Sequence, residues 1–167
     1  MLIILSGLPG VGKTTIAREL ARQIGAMHVR IDSIEQAILD SETFSGPMND
    51  TGYRVGYAVA LDNLRVGKTV IADSVNPLAI TRNAWVDVAR KANLHAVEIE
   101  LICSDATEHR RRIETRPADA PGLKALSWQE VVSRDYEPWD REHTVVDTAT
   151  HGAEEAAKMI RESLART

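Results

Sequence analysis

Ten consecutive residues near the start of the chain, 6–15, carry the pattern with the clearest chemical meaning. Gly7 is followed, after four residues, by Gly12, Lys13 and Thr14, which is the full spacing of a phosphate-binding loop. An apolar run precedes the loop and apolar residues recur behind it at helical spacing, so the loop joins a strand to a helix, as the motif requires. Inward-pointing backbone N–H groups and the helix dipole would together hold a polyphosphate. The sequence predicts a nucleotide triphosphate site formed by Gly7, Leu8, Pro9, Gly10, Val11, Gly12, Lys13, Thr14 and Thr15.

A magnesium ion is expected beside this loop. Lys13 would reach the β and γ phosphates, and Thr14 would offer its hydroxyl to Mg²⁺. Asp73 ends the apolar run 70–72 and has the form of a carboxylate that holds Mg²⁺ directly or through water. An alternative is that Asp73 and Asn76 bind the phosphate acceptor, and the sequence leaves both roles open.

Asp32, at the end of the second predicted strand, is the candidate general base. It would accept a proton from an acceptor hydroxyl as that hydroxyl attacks the γ phosphate. The alternative is that Asp32 only caps the helix that follows it, because aspartate favours that position whatever the function.

An arginine cluster lies before a segment that contains proline and glycine. Arg112 and Arg116 are four residues apart and therefore share a helix face, and a lid at about 114–127 would bring them onto the transferring phosphoryl group. The alternative is a solvated basic helix face, which is the preferred interpretation for Arg110 and Arg111.

Residues 40–60 are expected to form an insertion that binds the acceptor. Tyr53 and Tyr57 are four residues apart, so one helix face could present both rings to a ligand, with Arg54 beside them, or both rings could pack on the core. Arg82 faces either the pocket or the solvent. The predicted acceptor residues are Asp32, Tyr53, Arg54, Tyr57, Asp73, Asn76 and Arg82.

Five predicted strands alternate with helices and would position these residues. The strands are expected at 2–6, 27–31, 69–72, 95–102 and 144–146, and helices at 12–24, 33–39, 53–65, 77–92, 109–116, 127–136 and 153–164. Ser33 with Gln36, and Asn76 with Pro77, are read as helix starts. This alternation predicts an α/β fold, with a parallel sheet covered by helices on both faces and ligands beyond the carboxyl ends of the strands. Glu98 and Glu100 make the fourth strand more polar than a covered parallel strand should be.

Composition sets the outer bounds. With 167 residues, 44% of them hydrophobic, the chain is expected to form a single domain over 1–167. A net charge of −4 argues against broad binding to nucleic acid or anionic membranes, and one cysteine, Cys103, excludes a disulfide framework. The apolar start is followed at once by the glycine loop, so it reads as a strand and not as a signal peptide. No apolar run reaches the ~20 residues of a membrane span, and we expect a cytoplasmic protein.

The order of these elements resembles the small P-loop kinases of the shikimate, gluconate and adenylate kinase group over essentially the whole chain. Residues 31–33, Arg112 to Arg116, and Asp147-Thr148 look most like chloramphenicol phosphotransferase-like kinases, and the Asp73 region is similar to zeta-toxin-like and polynucleotide-kinase-like kinases. The resemblance implies ATP as donor, strand order 2-3-1-4-5, Asp32 as base, Arg112 and Arg116 as lid residues, and adenine held near Asp147 and Thr148.

Two departures bear on the acceptor. Shikimate kinases carry a second aspartate two residues after the first, and this chain has Ile34 there. The mononucleotide-kinase arginine pattern is also not evident between residues 33 and 66.

The sequence thus predicts an ATP- and Mg²⁺-dependent kinase, monomeric or homodimeric, that phosphorylates a hydroxyl of a small molecule. The alternatives are a nucleotide-binding ATPase switch that acts on a protein partner, and a toxin-like kinase of a sugar nucleotide or a nucleic-acid end. The acidic charge disfavours the nucleic-acid version.

Overall fold

A five-stranded, all-parallel sheet organises the chain. The computed structural model describes residues 1–41, 43–115 and 126–165. The strands lie in the order β2-β3-β1-β4-β5, which confirms the predicted topology. They are β1 Leu2–Ser6, β2 Met27–Arg30, β3 Val70–Asp73, β4 Ala96–Ile102 and β5 Thr144–Asp147.

Helices cover both faces of this sheet, as predicted. They are α1 Lys13–Ile24, α2 Ile31–Leu39, α3 Thr51–Arg65, α4 Ala79–Lys91, α5 Ala106–Thr115, α6 Trp128–Val132 and α7 Ala153–Leu164. Alternate residues of β1 point to opposite faces: Ile3 and Leu5 pack in one core with α1 and α7, and Leu2 and Ile4 pack in the other with α3 and α4. Because β1 is central and covered twice, all five of its residues are buried. Every helix in the described ranges is too short or too polar to cross a lipid bilayer.

The two glutamates of β4 are paired by the segment that leads into β5. Glu98 receives two hydrogen bonds from Arg141, at 2.7 and 2.6 Å, and Glu100 lies 3.1 Å from His143. These pairs explain how a strand inside the sheet carries two carboxylates, since each is matched by a cation or a hydrogen-bond donor.

Several predicted helix limits are wrong; α5, for example, begins at Ala106 and not at residue 109. α2 begins at Ile31, directly after β2 and with no side-chain cap, so Ser33 and Gln36 lie inside the helix and do not start it. α4 begins at Ala79, because Asn76 adopts a left-handed conformation with φ of 49° and is buried. Ser127 does cap α6 through a reciprocal pair with Glu130, but this helix ends at Val132.

Candidate active site

The loop between β1 and α1 has the curled backbone that phosphate binding needs. Gly7 has φ of 136°, and a Cβ there would collide with the carbonyl oxygen of Leu101. Gly12 is left-handed and directly precedes α1, so the first N–H groups of that helix open towards the loop. Lys13 is buried and donates from Nζ to the carbonyls of Gly7 at 2.7 Å and Leu8 at 3.0 Å. The lysine charge therefore lies inside the curve of the loop.

A cleft of about 680 Å³ opens from this loop. It joins the loop and the start of α1 to Asp32 of α2 and Arg112 of α5, which the sequence predicted, and to residues that it did not. The lining residues are Pro9, Gly10, Gly12, Lys13, Thr14, Thr15, Arg18, Arg30, Asp32, Glu35, Val75, Arg112, Leu126 and Arg134. β2, β3 and β1 are consecutive parallel strands, so their carboxyl ends lie at the same edge of the sheet. Asp32 follows β2 and the phosphate loop follows β1, and both therefore line one cavity.

Charged side chains surround Asp32 at the far end of this cleft. Arg30 donates from Nη2 to Asp32 Oδ2 at 3.0 Å, and Glu35 lies one helical turn after Asp32. Burial, and then the negative charge of Asp32, raise the pKa of Glu35 against the opposing effect of Arg134. Arg30, Glu35 and Arg134 were not predicted as site residues; Arg30 and Glu35 are close to Asp32 in the sequence and could have been found from that spacing.

Asp73 lies beside the loop and not on the open cleft. It is 2% exposed, and His28 donates from Nε2 to its Oδ2 at 3.0 Å. Burial opposes the ionisation of Asp73, but hydrogen bonds from His28 and Thr14 and the charge of Lys13 outweigh it, so its pKa lies below the ordinary value. The ionised Asp73 carboxylate and the neighbouring Thr14 hydroxyl together form a suitable pair of oxygen ligands for Mg²⁺.

A second cavity, of about 340 Å³, lies on the other side of Gly12. Arg112 lines both cavities and donates to the hydroxyl of Thr148 at 2.9 Å and to its carbonyl at 3.0 Å. Asp147 accepts hydrogen bonds from the backbone N–H groups of Ser104 and Ala149, both at 3.0 Å, and interactions with these two residues hold its pKa below the ordinary value. The predicted base-binding residues therefore shape the turn 147–152 that closes this cavity.

Several predicted acceptor residues lie away from the described lining of the cleft. Tyr57 packs edge-on against Trp85, with ring centroids 4.6 Å apart, and Tyr53 packs on the same core and accepts a hydrogen bond from the backbone N–H of Asn76. Arg54 is exposed and pairs with Asp50. Of the two interpretations of the tyrosines, packing on the core describes their positions.

The predictions for Asn76 and Arg82 are corrected. The buried amide of Asn76 bonds Ser6, Ser74 and Trp85, so it braces the core in place of capping a helix or facing the cleft. Arg82 faces neither pocket nor solvent: it is fully buried, donates to the carbonyl of Glu137 at 3.0 Å and lies over the Trp139 ring at 4.5 Å. Arg82 is buried because the segment 136–141 packs over α4 and covers its side chain.

The structure describes only the two ends of the predicted lid, 114–127. Thr115 ends α5, Leu126 lines the cleft and Ser127 caps α6. Arg116 and the rest of 116–125 lie outside the described residues.

Comparison with known proteins identifies the family. The profile of the AAA domain family (AAA_33) matches residues 2–134. The chain belongs to this AAA domain family. Its members share the P-loop NTPase fold, and the curled loop and parallel sheet described above are the features of that fold which imply nucleotide binding.

Solved structures share this fold of the AAA domain over almost the full chain. The Mycobacterium tuberculosis APS kinase CysC, in complex with AMPPNP and APS, matches with a TM-score of 0.75 and 18% identity over 98% of this chain and 96% of that one. Kti12 of Chaetomium thermophilum, in complex with ADP-AlF3, gives 0.72 and 22% over 99% and 98%. A gluconokinase from Sinorhizobium meliloti gives 0.65 and 18% over 98% and 95%. The predicted resemblance to small P-loop kinases is confirmed at the level of the fold.

Proposed function

We propose that this AAA domain is an ATP- and Mg²⁺-dependent phosphotransferase that moves the γ phosphate to a hydroxyl of a small polar molecule. The observation that carries the proposal is the single cleft that contains both the phosphate loop and the Asp32 carboxylate. A phosphotransferase needs these two groups in one cavity, because donor and acceptor must meet in line.

The nucleotide would lie across both cavities. Its phosphates would occupy the loop 7–15, with the Lys13 charge against the β and γ phosphates, and its base would occupy the smaller cavity beside Asp147 and Thr148. Arg112 lines both cavities, so its guanidinium is near the expected path of the phosphates.

Mg²⁺ would be held by the Thr14 hydroxyl and by the Asp73 carboxylate, directly or through water. When bound, the ion neutralises charge on the β and γ phosphate oxygens. His28 would orient Asp73 through their 3.0 Å hydrogen bond.

The acceptor would bind at the Asp32 end of the cleft. The acceptor oxygen forms a bond to the γ phosphorus, the bond from that phosphorus to the β–γ bridging oxygen breaks, and the hydroxyl proton passes to Asp32. Asp32 suits the role of base better than Asp73, because its side chain is 45% exposed whereas that of Asp73 is 2% exposed. Arg30, Glu35 and Arg134 favour a polar acceptor, and the aromatic rings of Tyr53 and Tyr57 lie elsewhere.

A second candidate is an ATPase switch that acts on a protein partner. The similarity to Kti12, at a TM-score of 0.72, favours it, because that structure is described as a complex with ADP-AlF3, whereas the APS kinase is described as a complex with both AMPPNP and APS. In that case the nucleotide site would be the same, and the charged end of the cleft would serve conformational change in place of acceptor binding.

The test is ATP consumption by the purified protein with Mg²⁺, alone and with a panel of hydroxylated metabolites, sugar acids, nucleosides and antibiotics. Stimulation by one compound, together with recovery of that compound in phosphorylated form, supports the kinase. ATP hydrolysis that no compound stimulates, with a nucleotide-dependent change in shape or association, supports the switch and rejects the kinase.

A further inference from the structure

His109 lies at the point where α5 meets both the phosphate loop and α6. The residue is 6% exposed, and its Nε2 lies 2.8 Å from the carbonyl oxygen of Pro9. On its other side the imidazole meets the indole of Trp128 edge-on, with ring centroids 5.1 Å apart and planes at 83°. The buried His109 ring therefore contacts both the phosphate loop and α6.

The contact with Pro9 fixes how the phosphate loop is curled. Inside the loop, Lys13 donates to the carbonyls of Gly7 and Leu8, whereas the Pro9 carbonyl has its partner in α5. A carbonyl only accepts, so His109 carries its proton on Nε2 in this contact and donates it to Pro9. At the next residue, a Cβ on Gly10 would lie only 3.3 Å from the imidazole Cδ2 and 2.5 Å from Ile113 Cδ1. The outer wall of the loop is thus packed against one face of α5.

The contact with Trp128 fixes the start of α6. Trp128 is the first residue of this helix, after the Ser127 cap. Leu126 before the helix and Arg134 just after it both line the cleft. The position of α6 therefore sets where these two side chains stand relative to the phosphate loop.

We propose that His109 is a positioning residue that holds the Pro9 carbonyl outward and seats α6 against the loop through Trp128. Nucleotide affinity then depends on the His109 donor and, through it, on a tryptophan that is not among the residues lining the cleft. The proposal rests on nucleotide binding by the loop and does not depend on whether the output is phosphotransfer or a switch.

The first test compares two substitutions of similar size by calorimetric titration with Mg²⁺ and AMPPNP. His109→Gln keeps an N–H donor near the position of Nε2, whereas His109→Leu leaves the buried Pro9 carbonyl without one. We expect His109→Leu to weaken nucleotide binding about tenfold and His109→Gln to stay within about threefold of wild type. Equal affinities for wild type and His109→Leu, or equal losses in both variants, would show that His109 is only core packing.

The second test is a double-mutant cycle with Trp128→Leu. Trp128→Leu should weaken AMPPNP binding about threefold or more in the wild-type background and have little effect in the His109→Leu background, because the two residues act in series. Additive effects overturn the proposal. If His109→Leu does not fold, Trp128→Leu alone decides: an affinity equal to that of wild type overturns the proposal.

Discussion

Arg112 donates to both oxygens of Thr148, at 2.9 Å to the hydroxyl and 3.0 Å to the carbonyl. This pair joins α5 to the turn after β5 and places one guanidinium on the wall of both cavities. Thr148 also donates from its hydroxyl to the carbonyl of Ile102 at 3.0 Å, so the contact is anchored to β4. Arg112 therefore links α5 to the turn after β5, and we propose that its charge also acts on the phosphates.

Arg112→Ala should weaken nucleotide binding, and it should lower turnover by a larger factor than it lowers nucleotide affinity. Loss of the Thr148 contacts loosens the smaller cavity, and loss of the charge removes stabilisation of the transferring phosphoryl group, for which we expect a fall in turnover of roughly 10² or more. Arg110→Ala is the matched control, since Arg110 is exposed on the same helix and pairs with Glu114. AMPPNP titration and steady-state turnover measure the two effects, and equal behaviour of the two variants would contradict the role of Arg112.

Asp32→Asn should lower turnover by roughly 10² or more and leave ATP affinity nearly unchanged. The amide keeps the size of the side chain but cannot take the acceptor proton. Asp87→Asn, on the exposed face of α4, is the control. Unchanged turnover in Asp32→Asn would reduce Asp32 to a residue of the first turn of α2.

Glu35→Gln should stabilise the protein at neutral pH. A carboxyl whose pKa is higher in the folded than in the unfolded state loses its proton first in the unfolded state as pH rises. Ionised Glu35 therefore costs stability above its folded pKa, and this cost is absent below the unfolded pKa of about 4.3. Urea unfolding at pH 7 and at acid pH measures it: the advantage of the variant should shrink as pH falls, and an advantage that is constant with pH would contradict the cause.

Arg141→Ala should destabilise the fold by about 2 kcal/mol, because it leaves the mostly buried Glu98 carboxylate without its two-point partner. The control is Arg90→Ala, which breaks an exposed pair with Asp87 and should cost about 0.5 kcal/mol or less. Urea unfolding of both variants gives the comparison. A similar cost for both would show that the Glu98 pair is as solvated as the surface pair.

The phosphate loop and the five strands could be predicted because their signals are local. The spacing from Gly7 to Thr14 and the apolar runs 2–5 and 70–72 require only neighbours in the chain. The order of the strands came from the family resemblance and is confirmed by the register of β1 between β3 and β4.

Helix starts were less predictable where burial overrides local preference. Asn76 looks like a cap before Pro77, but its amide has four buried partners and its backbone is left-handed, so α4 starts at Ala79, two residues later than predicted. Local capping preferences of about 1 kcal/mol are smaller than the cost of burying an unsatisfied amide.

The sequence by itself determined that this chain builds a phosphate loop on a parallel sheet, with acidic residues at the strand ends. Only the tertiary structure decided which distant side chains meet: Arg134 lines the same cleft as Asp32, His28 bonds Asp73, and Arg82 lies buried against the Trp139 ring. The physical reason is distance along the chain. A strand or a loop is encoded by adjacent residues, whereas His28 and Asp73 are brought together only when β2 and β3 pair in register, with His28 opposite Ile71.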